Sequence, residues 1–204
     1  MATEHSGSRE RLLERLRDQT RAMLADIPEV QAADVYALGF ELLEDEEELS
    51  APHIALSWNT AEHLVSVDQA AGGRLYLNSR WNLGTWVASG VDIEDDEIRS
   101  LADAALQECG ILGSDPLPDL DSDEATLMVI AIHDRAARFL ADLTRTLHAE
   151  EVLVQTLGHE VLVLCHTGSD SEPWTRLTLD ANPPELYGDF LAFHEQDGVH
   201  DETF

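Results

Sequence analysis

The chain has 204 residues, 41 of them acidic and 12 basic, for a formal net charge of −29. That length favours one domain with a real core, and 44% apolar residues with four tryptophans exclude a disordered acidic chain. Every basic residue is arginine, which excludes a phosphate-loop lysine, a pyridoxal Schiff base and any lysine nucleophile.

Residues 9–27 place Leu12, Leu13, Leu16, Met23, Leu24 and Ile27 on one stripe at helical spacing, and Pro28 stops that helix. Val35 to Leu43 reads as a strand, with Tyr36, Leu38, Phe40 and Leu42 on one face and Val35, Ala37 and Gly39 on the other. The second face is also apolar, which predicts cover on both sides. Glu44 to Glu48 is a solvated loop, and His53 to Trp58 is the next strand, with Ile54, Leu56 and Trp58 inward. A short helix from Thr60 and a turn at Gly72-Gly73 follow.

Arg74 to Trp81 alternates, so a strand is expected with Leu75, Leu77 and Trp81 on one face and Arg74, Tyr76, Asn78 and Arg80 on the other. A helix from about Ile93 to Cys109 has Ile98, Leu101, Ala105, Leu106 and Cys109 as its buried stripe, with Gly110 as C-cap. A long helix starts near Ser122 or Asp123 and carries Met128, Ile132, Ala136, Phe139, Leu140, Leu143 and Leu147 within one arc. Val152 to Leu157 is open between helix end and strand, and Val161 to Cys165 has the apolar character of a central strand. Trp174 to Leu179 reads as a strand, and Asn182-Pro183-Pro184-Glu185 opens the last helix with Asn182 as its cap. The order implies a single α+β domain over residues 1–195, an antiparallel or mixed central sheet with helices packed on it, and a polar acidic tail over 196–204.

The expected chemistry is sparse. No HExxH, GxSxG or GxGxxG exists, so no metal and no cofactor is expected. Asp119, Asp121 and Asp123 resemble the start of a calcium loop, but Glu124 and Ile130 stand where it needs glycine and glutamate. They read instead as caps of the long helix and as favourable charges at its N-terminus. His133-Asp134 are adjacent on a helix and do not face each other, and His159 and His166 are expected on opposite faces of a strand. Cys109 and Cys165 lack zinc spacing and read as two inert core thiols. The N-terminus carries no apolar stretch fit for a signal peptide, so a cytoplasmic protein is expected.

The residues singled out for binding are Arg74, Tyr76, Asn78 and Arg80, with Trp81 and Trp86 supporting them or anchoring their rim. Arginine and tyrosine concentrate binding energy at interfaces. The plainer reading is a solvent face whose arginines bond nearby carboxylates.

Three stretches carry a resemblance: Asn59-Thr60-Ala61-Glu62, Arg80-Trp81 with Trp86 five residues on, and Asn182-Pro183-Pro184-Glu185-Leu186-Tyr187. With the leading helix and Val35-Tyr36-Ala37-Leu38, the chain resembles the bacterial family called domain of unknown function 4303 over about residues 9–195. The resemblance implies no catalytic residues, because that family is itself uncharacterised; its small acidic members look similar in style to immunity proteins of toxin systems.

The charge repels nucleic acid and anionic membranes and favours a basic protein partner, although a large negative charge also serves solubility. The leading expectation is therefore an acidic protein-binding module, of the immunity type, that neutralises a cationic toxin or another basic partner. The alternative is an enzyme or small-ligand sensor with a non-local pocket, for which His53, His133, His166 and Trp174 are the candidates. Mimicry of nucleic acid by Glu44 to Glu48 and Asp92 to Glu97 fits poorly, because the clusters lie in expected loops rather than a regular array.

Overall fold

In the computed structural model, the described residues are 7–43, 53–70, 80–93, 95–112, 122–166 and 172–197. Leucine spacing builds the first helix, α1 (Ser8–Ala25), which buries Leu12, Leu16, Thr20 and Leu24 along one line. Its N-terminal Gly7 provides no side-chain cap. The Glu108 carboxylate does so from another helix, accepting from Ser8 N at 3.2 Å and from Ser8 Oγ at 2.7 Å, where the helix dipole favours an anion. Thr20 completes the buried line, yet its Oγ1 has no hydrogen-bond partner among the described residues. Thr20→Val keeps the shape and removes that unpaired hydroxyl. It is expected to raise the unfolding free energy by about 1 kcal/mol in urea titration.

A short helix α2 (Glu29–Ala32) leads into β1 (Val35–Leu43), which pairs antiparallel with β2 (His53–Thr60). Helix α3 (Ala61–Ala70) leaves β2 directly. After a 3-10 turn at Leu83–Thr85, β3 (Ala88–Asp92) pairs antiparallel with β2. Then come α4 (Asp96–Glu108), α5 (Asp123–Ala149) and α6 (Val152–Leu157). Strand β4 (Leu162–His166) runs parallel to β1, and α7 (Glu172–Ala181), a 3-10 turn at Pro184–Leu186 and α8 (Gly188–Asp197) finish the chain. The strand order is β3-β2-β1-β4, a mixed four-stranded sheet in an α+β domain.

Both faces of the sheet are covered. Leu38, Phe40, Leu42, Ile54 and Leu56 pack with α1, α4, α5 and α6 in the main core. Ala37, Leu162 and Leu164 face a smaller aromatic cluster of Trp81, Trp86 and Phe190. A register shift between Val35 and Ala37 exchanges two side chains relative to strict alternation. Val35 joins the helical side and Tyr36 the aromatic side, the re-aiming that a bulge produces.

Five expectations need correction. Strand β4 is an edge strand, not a central one. It is apolar because α7 and the residue after it cover its open edge: Thr178 Oγ1 accepts from Cys165 N at 3.0 Å, and Asn182 bonds both Val163 N and Val163 O at 2.8 Å. Side chains thus take the place of a neighbouring strand. The stretch from Trp174 to Leu179 is helical, within α7. Pro173 falls in its first turn, where a missing N–H costs nothing. Asn182 does not cap the last helix, since its side chain is committed to β4 and to Thr178 O of α7. Cys109 is exposed at the C-cap of α4 rather than buried, and Ala102 takes the place expected for Ala105 in the buried stripe. Val152–Leu157 resolves as helix α6, closed by Gly158 at φ 86°.

Candidate binding surface

The bulge in β1 makes the corner that carries Arg80, Trp81 and Trp86. Gly39 has no side chain to hold the next layer away, and Leu83 lies so close that an added Cβ would sit 2.0 Å from its Cδ2. The segment around residues 80–87 therefore packs directly on the β1 backbone. Arg80 and Trp81 are helical there, so the strand expected over 74–81 does not include its last two residues. Arg74, Tyr76, Asn78 and the turn at Gly72-Gly73 lie outside the described residues.

Hydrogen bonds pin this corner to the sheet. The Arg80 carbonyl accepts from Tyr36 Oη at 2.8 Å and from Trp86 Nε1 at 3.1 Å. Asn59 on β2 donates through Nδ2 to Tyr36 Oη at 3.0 Å, and its Oδ1 accepts from Val87 N at 3.4 Å. Trp81 meets Tyr36 and Phe190 edge to face, with centroids 6.0 and 5.4 Å apart. The Arg80 guanidinium lies 5.2 Å from each of the Tyr36 and Trp81 rings and pairs with Asp189 of α8 at 2.8 Å. Its side chain is 26% exposed against 71% for Asp189. Arg80 thus joins the sheet, the 80–87 segment and α8, with cation–π attraction from two rings. Trp81 and Trp86 are buried, so among the described residues the rim of this corner is Arg80 and Asp189.

The histidines considered for a pocket do not converge. His53 opens β2 beside Arg99 of α4, His166 ends β4 opposite Glu41 in register, and His133 is on α5. Trp174 is within α7. His159 precedes β4 rather than lying on it, and its ring bridges Val35 O at 2.7 Å and Leu157 O at 3.1 Å. No group of three metal-ligating side chains occurs among the described residues. Asp119 and Asp121 lie outside them, and Ser122, not an aspartate, caps α5 by accepting from Ala125 N at 3.1 Å. Ser57 was not anticipated: its buried hydroxyl donates to Glu41 and accepts from Gly90 N at 2.8 Å, holding β1, β2 and β3 together.

The arginines are largely turned inward on their own carboxylates. Arg9 pairs with Asp142, Arg15 with Asp95 and Glu97, Arg17 with Asp18 and Glu150, Arg138 with Asp134, and Arg145 with Asp142. Two carboxyls that bind α1 to α4 are held below the ordinary range. The Ile98 N–H and then Arg15 lower Asp95, and the Ser8 hydroxyl and N–H lower Glu108. A depressed carboxyl contributes stability above its unfolded value and loses it as pH falls through the folded one. Urea midpoints followed from neutral to about pH 3 are therefore expected to fall, and less steeply in an Asp95→Asn, Glu108→Gln double variant.

Compared with known proteins, the chain matches no family model, no curated protein and no solved structure. No helix among the described residues is long and apolar enough to cross a membrane.

Proposed function

We propose that the chain is an acidic protein-binding module that engages a basic protein, as an immunity-type protein does when it neutralises a cationic toxin. The observation that carries this reading is the charge of −29 together with the internal pairing of the arginines. Those pairs use up much of the chain's positive charge, and the large surplus of carboxylates faces outward. Among the described residues, Glu10, Asp26, Glu29 and Glu124 are exposed and pair with no arginine. Such a field speeds encounter with a cationic partner and rejects polyanions. Kinship with the family of domain of unknown function 4303, a cytoplasmic setting and a binding role for Arg74, Tyr76, Asn78 and Arg80, with Trp81 and Trp86 supporting them from beneath, belong to the same proposal.

The test is affinity capture. The intact chain is immobilised, loaded with lysate of its native cell at low salt, and eluted with salt. One basic protein recovered in stoichiometric amount supports the reading. A blank eluate overturns it and leaves the charge as a solubility feature.

A further inference from the structure

We propose that the cleft between α1, α4 and α5 binds a small amphipathic monoanion, a short straight-chain carboxylate, with its tail in the cleft and its carboxylate on Arg135. The cleft encloses about 50 Å³ and is walled by Leu12, Ile54, Leu106 and Phe139, while Ala102 and Ala105 leave the space open. A benzene ring occupies a cavity of about 150 Å³, so a third of that admits the first carbons of a slender alkyl tail, the rest lying at the open mouth, and not a ring.

The polar part of the lining is Arg9, Arg135 and Cys109, with no carboxylate among the described residues that line it. Arg9 has Asp142 as its partner, shared with Arg145. Arg135 donates to Cys109 Sγ at 3.1 Å and has no carboxylate partner among the described residues. That is notable in a chain where acids outnumber bases 41 to 12. Cys109 brings no carboxylate to balance the guanidinium, so the cleft presents a cation beside an apolar cavity. A carboxylate meets the guanidinium with two parallel hydrogen bonds, and an alkyl tail gains by leaving water. This proposal is independent of the protein-binding reading, because it concerns an uncompensated cation and not the acidic surface.

Cys109 serves as the reporter. It is exposed, whereas Cys165 is buried and its burial pushes the thiol up to about 11, so iodoacetamide at neutral pH reads Cys109. Hexanoate at about ten times its Kd is expected to slow that alkylation about tenfold. Hexanol at the same concentration should leave the rate unchanged. Protection is expected to vanish in Arg135→Gln, and in Ala105→Leu, which fills the cavity but keeps the cation. Each rate is compared with and without hexanoate in the same variant, and thermal melts confirm that both variants fold. Absence of protection, equal protection by hexanol, or protection that survives Arg135→Gln would overturn the proposal.

Discussion

Replacing Asn182 with alanine is expected to lower the unfolding free energy by about 3–5 kcal/mol, because buried polar groups left unpaired cost about 1–3 kcal/mol each. Asn182 is 7% exposed and saturated. Its Oδ1 accepts from Val163 N at 2.8 Å and faces His148 Nε2 at 3.0 Å. Its Nδ2 donates to Val163 O at 2.8 Å and to Thr178 O at 2.7 Å. Alanine would strand both peptide groups of Val163 on the open edge of β4, inside the protein and away from water. His148 would lose one of two partners, keeping Glu160 at 2.7 Å. Asn182→Asp tests the donors separately, since it retains an acceptor for Val163 N but sets a carboxylate against two carbonyls. It is expected to be at least as damaging as alanine. Urea denaturation gives the free energies, and amide exchange at Val163 and Cys165 locates the loss. A change under about 1 kcal/mol for Asn182→Ala would contradict the edge-covering role.

Trp81→Ala is expected to cost about 3–5 kcal/mol, the range for removing a buried aromatic from a core. Trp81 joins the two sides of the smaller core, meeting Tyr36 on the sheet and Phe190 on α8. It also carries the Arg80 guanidinium. Trp81→Phe keeps an aromatic edge and should recover about half of the loss. Arg80→Ala should cost less than Trp81→Ala, because its ion pair is with a largely exposed carboxylate. If Trp81→Ala and Arg80→Ala cost the same in urea titration, the corner is held by charge rather than by aromatic packing.

The sequence made β1, β2 and the three long helices legible, because their apolar residues recur at periods near 2 or 3.6 over many positions. Leu12, Leu16 and Leu24 define α1, and Ile98, Leu101 and Leu106 define α4, without ambiguity. The errors fall where tertiary contacts override a short local pattern. Trp174 to Leu179 has the aromatic and β-branched residues that strands favour, but Leu177, Thr178 and Ala181 form a helical face that closes the edge of β4. Val161 to Cys165 has the composition of a central strand because it is buried on both faces and sealed at its edge by Thr178 and Asn182. Tyr36 changed faces through a bulge that leaves no mark in the residue pattern. Of the binding corner, Arg80, Trp81 and Trp86 were legible as a group, but not their attachment to Tyr36, Asn59 and Asp189 from distant segments. The cleft of Leu12, Ile54, Leu106 and Arg135 was invisible for the same reason, since its lining comes from four separate elements.

The claim that an outward-facing carboxylate surplus recognises a basic protein is tested most directly by titration calorimetry of the intact chain against its captured partner over a series of salt concentrations. Charge-driven association predicts a Kd that rises steeply and continuously as salt is added, with exposed pairs screened beyond a Debye length of about 10 Å at 0.1 M salt. A Kd that stays constant across the series would contradict it, and would place the binding energy in apolar contact instead.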